Sequence, residues 1–113
     1  MKNSTDKKFV ASPDLVGKYI NRYGYSDVHV VGKIVGIKSK TTVVVQRVNA
    51  EKDPTWKPEW VSGGFSAICL NQSYQRWIFN ETDETFPMRL SAGDLKRAYR
   101  IDDKPIEFYD YNF

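Results

Sequence analysis

Apolar and polar residues alternate along much of this chain, as they do in β-strands that bury one face. The alternation predicts a first strand over residues 15–23 and a turn over residues 24–27. Two runs rich in β-branched residues, 28–38 and 41–48, lie on either side of a short polar break. Such a break between two apolar runs predicts a β-hairpin.

Gly32 and Gly36 interrupt the first arm of this predicted hairpin. Glycine within a strand weakens it locally and often marks a bulge or a sharp bend. Bent, strongly twisted strands close small barrels more readily than they form flat sheets. We therefore predict an all-β, mainly antiparallel domain, a small and strongly bent SH3-like or OB-like barrel with one short helix near the C-terminus.

The alternation of apolar and polar residues is less regular in the second half of the chain. Residues 49–58 contain two prolines and four charged side chains, and they predict a long loop. Short strands are predicted where apolar residues return, at residues 65–70, 76–80 and 86–91. The polar segments between these strands predict a turn over residues 71–75 and a charged hairpin loop over residues 81–85.

The two ends of the chain differ in character. Residues 1–13 are polar and lack a periodic pattern, so we predict a flexible basic arm followed by a single β-barrel domain over residues 14–113. Residues 91–99 have the pattern of a short helix, with Ser91 or Asp94 as its N-cap. The chain ends F-Y-D-Y-N-F, and we expect these aromatic side chains to pack back onto the domain because a free tail would expose a large apolar area.

Composition narrows the class of protein. With 113 residues, 41% of them hydrophobic, the chain is long enough for one core and too apolar to remain disordered. The single cysteine, Cys69, forms no internal disulfide, which is typical of a reducing compartment. No apolar run approaches the roughly 18 residues that span a bilayer, and no apolar signal region follows the N-terminus. We expect a cytoplasmic protein with no membrane partner.

Charge is distributed unevenly along the chain. Residues 1–50 contain nine Lys or Arg against three Asp, whereas residues 51–113 contain eight against eleven acidic residues. A basic half steers a protein toward nucleic acid or an acidic protein surface, although a solvated strand face explains a modest excess equally well. The candidate nucleic-acid contacts are the cations of the predicted strands and one interleaved tyrosine, namely Lys18, Arg22, Tyr25, Lys33, Lys38, Lys40 and Arg47.

The stretch from residue 56 to residue 79 contains all three Trp residues, Cys69 and a cluster of neutral amides. Buried amides must be hydrogen-bonded, so we predict that Asn71 and Gln72 bond the backbone of the turn and hold it in place. Gln75 fits this structural role and a binding role equally well. The side chains that would contact nucleic acid or a protein partner from this stretch are Trp56, Trp60, Gln75 and Arg76.

Three motifs together resemble a group of small proteins encoded by bacteriophages and other mobile elements. They are K-P-E-W-V-S-G-G-F at residues 57–65, C-L-N-Q-S-Y-Q-R-W at residues 69–77 and the terminal F-Y-D-Y-N-F, and the resemblance spans roughly residues 24–113. It implies a phage origin and a bacterial host cell, and it carries no established activity. In that group a His usually precedes the Cys of the second motif, whereas this chain has Ile68 there, which argues against a Cys–His pair.

Two functions follow as hypotheses. The first is a non-enzymatic module that contacts nucleic acid through the basic, tyrosine-interleaved strands. The second, suggested by the resemblance, is a small inhibitor of a host protein such as a CRISPR or restriction nuclease. In that case the loop over residues 56–60 and the charged loop over residues 81–85 would serve as anchors.

Catalytic chemistry has weak support in the sequence. One Cys and one His, forty residues apart, are not a metal ligand set, and phosphate-binding or dinucleotide-binding glycine motifs are absent, so we expect neither a metal nor a cofactor. Cys69 is explained better as a small buried residue than as a nucleophile. The acidic residues 81, 83 and 84 fit a solvated loop. An enzyme is the third hypothesis, and it would depend on His29 and Asp27.

Overall fold

The computed structural model describes residues 9–63 and 66–112, and it consists mainly of antiparallel β-structure with one short α-helix among these residues. Its strands are β1 (Tyr19–Tyr23), β2 (Val28–Ser39), β3 (Thr42–Lys52), β4 (Trp60–Gly63), β5 (Ser66–Cys69), β6 (Trp77–Arg89) and β7 (Tyr99–Asp102). The helix is α1 (Ala92–Arg97), and two 3-10 turns span Pro13–Leu15 and Gln72–Tyr74. The predicted class, mainly antiparallel β with one short helix, is confirmed.

Five of the strands form one open sheet in the order β6-β3-β2-β1-β7, and the other two, β4 and β5, form a separate sheet. Within the described residues, β6 and β7 are edges that do not pair with each other, so these sheets do not close into the predicted SH3-like or OB-like barrel. The Cα radius of gyration is 17.1 Å, whereas a compact domain of this length has about 13 Å. The barrel fails to close because the chain leaves β7 after four residues and turns back toward β2, where Phe108 pairs with Val28.

The main core lies on one face of the five-stranded sheet. Its fully buried side chains are Ile20, Ile34, Val43, Val45 and Leu90. The N-terminal segment and α1 cover them, through partly buried residues that include Phe9, Ala11, Leu15 and Leu95. Residues 9–13 of the predicted arm therefore pack on the sheet, while residues 1–8 lie outside the described residues.

The first strand begins later than predicted. Leu15 belongs to a 3-10 turn, and Gly17 has φ = 97°, a left-handed conformation that side chains other than glycine rarely adopt. The first strand therefore begins only at Tyr19. The predicted turn at residues 24–27 and the hairpin turn near Lys40 lie between observed strands, as expected.

Both glycines of β2 lie beside irregularities in strand register, as the sequence predicts. Between β1 and β2 the register shifts next to Gly32, and between β2 and β3 it shifts next to Gly36. A Cβ atom at Gly32 would lie 2.2 Å from the backbone oxygen of Gln46, so a larger residue does not fit there. These bulges bend the sheet without closing it.

The charged loop predicted at residues 81–85 is instead the middle of one continuous strand, β6. A bulge accommodates the polar residues, and side chains tie it to β3. Thr82 Oγ1 donates to the Arg47 carbonyl oxygen at 2.9 Å, and Gln46 Nε2 donates to the Thr82 carbonyl oxygen at 2.8 Å. The predicted loop over residues 49–58 is also shorter, because β3 continues to Lys52 in register with β6.

The short helix α1 begins at a complete capping box. Ser91 Oγ accepts from the Asp94 amide, and the Asp94 side chain accepts from the Ser91 amide, both at 3.1 Å. Ser91 is thus the N-cap, and Asp94 completes the box at the third helical position. No helix in the described part of the chain is long and apolar enough to cross a membrane.

Candidate functional site

Three of the six basic residues predicted to contact nucleic acid form ion pairs with carboxylates from the second half of the chain. Lys18 Nζ lies 2.6 Å from an Asp103 oxygen, Lys33 Nζ lies 3.9 Å from Glu81, and Arg47 Nε lies 3.0 Å from Glu84. The three pairs neutralise positive charge along the strands. The basic surface expected from the sequence is therefore broken at these three positions.

The remaining cations of the β2–β3 hairpin gather at its turn. Lys38 and Lys40 are exposed there, and the pairing of Thr42 with Arg89 brings a third exposed cation to the same end of the sheet. Among the described residues, none of the three has a carboxylate within ion-pair distance. We call Lys38, Lys40 and Arg89 the basic end.

Arg89 was missed in the sequence because it lies in the acidic half, and only the long-range pairing of β3 with β6 places it beside the basic half.

At the other end of β2, a cleft of about 410 Å³ opens between the β1–β2 turn and the C-terminal segment. We call it the turn cleft. It contains Arg22 and Tyr25, two of the predicted contacts, and its lining is Arg22, Gly24, Tyr25, Ser26, Asp27, His29, Tyr109, Asp110 and Tyr111.

The C-terminal wall of the turn cleft is fixed to β2 by backbone and side-chain hydrogen bonds. Val28 and Phe108 exchange backbone hydrogen bonds of 3.0 and 2.8 Å. Asp27 Oδ1 accepts from the Asp110 amide at 2.7 Å, and Glu107 Oε1 accepts from the Val30 amide at 3.0 Å. The cleft is therefore a defined feature of the fold rather than a gap between loose segments.

His29 pairs with Glu107, which lies 78 residues away in the sequence, and the distance from Nδ1 to Oε2 is 2.8 Å. A carboxylate oxygen only accepts, so Nδ1 carries the hydrogen, and Nε2 of the half-exposed ring is directed away from this bond. Asp27, the neighbour considered in the sequence, instead holds the C-terminal segment. The described residues contain no group of three or more His, Cys, Asp or Glu placed to hold a metal ion.

The aromatic candidates separate into one internal and one exposed ring. Trp56 is half-buried, with its ring centroid 5.6 Å from that of Tyr111. Trp60 contacts Tyr111 edge-on at 6.0 Å but keeps 49% of its surface exposed. Arg76 is exposed, and its carbonyl oxygen accepts from the Asp53 amide at 3.1 Å. Trp60 and Arg76 thus lie at the surface, while Trp56 is part of an aromatic cluster.

Both the nitrogen and the oxygen of the Gln75 side-chain amide form hydrogen bonds within the protein. Its Nε2 donates to the carbonyl oxygens of Gln72 and Tyr109, at 2.9 and 2.8 Å. Its Oε1 accepts from the Tyr109 amide and from Trp77 Nε1, both at 2.8 Å. The geometry therefore gives Gln75 a structural role.

Asn71 and Gln72 bond other segments of backbone. Asn71 Oδ1 accepts from the Glu59 amide and Asn71 Nδ2 donates to the Lys57 carbonyl oxygen, both at 2.8 Å. Gln72 Oε1 accepts from the Tyr111 amide at 2.8 Å. Together with Gln75, these amides join the loop before β4 and the C-terminal segment to the turn between β5 and β6.

The outer face of the β4–β5 hairpin is apolar. Val61 pairs with Ile68 across the two strands, and each is 40% exposed. Leu70, two residues beyond Ile68 on the same side, is 62% exposed. Cys69, on the opposite side, is buried. We call Val61, Ile68 and Leu70 the hairpin face.

No protein-family model matches the chain, and no curated protein or solved structure matches it either. Three surfaces of the molecule thus remain as candidate sites, namely the basic end, the turn cleft and the hairpin face. Within the described part of the chain, the first carries cations that have no carboxylate partner, the second combines aromatic rings with polar groups, and the third is apolar. Each of these chemistries suits a different class of ligand.

Proposed function

We propose that this protein is a non-enzymatic binding module that contacts nucleic acid through the basic end. The observation that supports the proposal is the contrast among its cations. Lys38, Lys40 and Arg89 are exposed without a carboxylate partner in the described chain, whereas three other predicted contacts, Lys18, Lys33 and Arg47, are ion-paired. Residues 28–50, which form both arms of this hairpin, contain no Asp or Glu.

The basic end suits phosphate contact better than base reading. Its two lysines lie near the end of β2 and in the turn that follows it. Lysine presents a compact point charge that neutralises phosphate without a fixed geometry. Three neutralised phosphates predict a dependence of log K on log salt concentration of about −3 on duplex DNA, because each contact releases condensed counterions. Binding of this kind is independent of sequence and weakens strongly as salt rises.

A salt titration of binding to a labelled 20-base-pair duplex, followed by fluorescence anisotropy, tests the proposal. We expect the triple variant K38Q/K40Q/R89Q to lose most of the affinity and most of the salt dependence. The matched control K18Q/K33Q/R47Q removes the same formal charge from ion-paired positions, and we expect a smaller effect. Equal losses in both variants, or no binding by the wild type at physiological salt, would overturn the proposal.

A second candidate function is an inhibitor that binds a host protein such as a CRISPR or restriction nuclease. The hairpin face favours it, because its three neighbouring aliphatic side chains remain partly exposed on one side of the β4–β5 hairpin. Exposed apolar clusters of this kind are typical of protein-binding surfaces. The charged segment of β6 is less suited to this role than the sequence suggests, since Glu81 and Glu84 already pair with cations.

Pull-down from bacterial lysate distinguishes this second candidate. Bait carrying V61T and L70Q should lose a protein that the wild type retains, because both changes place polar groups on the hairpin face. V35T is the matched control, since Val35 is also 40% exposed but lies on β2. Recovery of nucleic acid alone, or retention of the same protein by V61T/L70Q, would exclude the inhibitor.

A further inference from the structure

The turn cleft has the composition of a site for a flat, polar ligand. The ring of Tyr25 on its rim is 94% exposed, and Tyr109 across the cleft is 47% exposed. Arg22 is exposed on the same rim and, within the described residues, has no carboxylate at ion-pair distance. A cation beside exposed aromatic rings is the combination that binds single-stranded nucleic acid.

Two carboxylates restrict which part of such a ligand enters the cleft. Asp27 and Asp110 each use one oxygen to accept a backbone amide, from Asp110 and Asn112 respectively. Within the described residues, the other oxygen of each carboxylate accepts no hydrogen bond, so it can accept one from a ligand in the cleft. Phosphate is repelled from this region and is attracted to Arg22 at the rim, whereas a base that carries an exocyclic amine finds acceptors for its N–H groups.

We propose that the turn cleft binds one unpaired nucleotide, with the base stacked on Tyr25, its amine donating to Asp27 or Asp110, and its phosphate at Arg22. The ligand class rests on the proposed function, and the site itself is separate from the basic end. A free nucleotide and an unpaired residue of a strand share this chemistry. A base paired within a duplex has its amine engaged and its faces stacked, so it does not enter.

The two sites lie at opposite ends of β2. Twelve residues at about 3.4 Å each separate them by roughly 40 Å. A mononucleotide is therefore too short to contact both sites at once, and a duplex uses only the basic end because its paired bases do not enter the turn cleft. A long single strand engages both, and its affinity exceeds that for a duplex of the same length.

The test uses the whole 113-residue chain with four probes: dCMP, single-stranded (dC)20 and (dT)20, and a 20-base-pair duplex. We expect (dC)20 to bind more tightly than (dT)20, because thymine has no exocyclic amine, and more tightly than the duplex. Y25A should weaken (dC)20 binding by about 5- to 150-fold, as loss of one stacking side chain does, and leave duplex binding unchanged. R22Q should act in the same direction.

Matched controls come from exposed residues of the same types outside the cleft. Tyr74 is 75% exposed, and Arg76 is exposed near it, so Y74A and R76Q should leave the preference for (dC)20 intact. If Y25A and R22Q bind all four probes like the wild type, the cleft inference is wrong while duplex binding still supports the basic end. If dCMP binds with chemical-shift changes at residues 22–29 and 109–111 but the duplex does not bind, the inference holds for a free nucleotide and the basic-end function fails.

Discussion

Gln75 offers the sharpest test of how the C-terminal segment is held. Its amide makes four hydrogen bonds, two of them to the backbone of Tyr109 and one to the indole of Trp77. The change Q75A removes all four hydrogen bonds. The groups that bonded Gln75 must then bond water or remain without a hydrogen-bond partner. We expect a loss of stability that is large for a single polar residue in a turn.

The magnitude follows from the number of bonds and their exposure. One hydrogen bond contributes about 0.5–1.5 kcal/mol net, so four would contribute roughly 2–6 kcal/mol. Tyr109 is half-exposed and its backbone groups regain bonds with water, which lowers the expected loss to about 2–3 kcal/mol. Q75E should be at least as harmful near neutral pH, because a carboxylate would face two carbonyl oxygens.

Urea unfolding followed by tryptophan fluorescence measures this loss, since Trp77 bonds directly to Gln75. Q46A is the matched control: Gln46 donates one hydrogen bond, to the Thr82 carbonyl oxygen, so the expected loss is about 1 kcal/mol or less. Hydrogen exchange of the Tyr109 amide should accelerate in Q75A alone. A Q75A loss equal to that of Q46A, with protected Tyr109, would refute the structural role.

Three further predictions concern the sheet and its edge. Gly32→Ala places a Cβ against the backbone of β3 and should cost about 3 kcal/mol or more in urea unfolding, whereas Gly36→Ala, whose Cβ finds ordinary contacts, should be neutral within about 1 kcal/mol. Asn21→Ala removes three hydrogen bonds of a fully buried side chain and should cost about 2–4 kcal/mol by the same measurement; a loss under 1 kcal/mol would contradict the assigned bonds. The hydrogen bond with Lys18 lowers the pKa of Asp103, and the same bond raises the pKa of Lys18. The pair should therefore contribute to the free energy of unfolding at neutral pH. This contribution should be lost as pH falls through the lowered pKa of Asp103, and also as pH rises through the raised pKa of Lys18. A stability difference between wild type and D103N that does not change with pH would contradict this expectation.

Local features of the fold could be read from the sequence, whereas its closure could not. The β2–β3 hairpin follows from two β-branched runs and a polar break, which are short-range signals. Residues 81–85 have the composition of a loop, but bonds from Thr82 and Gln46 to the facing strands hold them in β6. Whether a bent sheet closes depends on where its edge strands meet, and alternation within one strand carries no information about that.

The candidate sites depended on contacts that are distant in the sequence. The amide-rich turn was visible as a composition, but the Tyr109 backbone that Gln75 bonds is 34 residues away. The excess of positive charge in the first half was visible from a count of charged residues. The count does not show that the Lys18 charge is neutralised by Asp103, which lies 85 residues away in the sequence. Glu107 gave no signal, because a single acidic residue near an aromatic tail has no pattern that links it to His29.

The C-terminal segment connects two of the three candidate surfaces. Tyr109 and Tyr111 line the turn cleft, and Tyr111 also packs against Trp60 at the start of β4, while Asn112 bonds the backbone of Cys69 in β5. A change in the β4–β5 hairpin therefore reaches the turn cleft through this segment. The basic end, by contrast, lies at the far end of β2 and β3. Substitutions there should leave the turn cleft and the hairpin face intact, so loss of duplex binding in K38Q/K40Q/R89Q would report on phosphate contact alone.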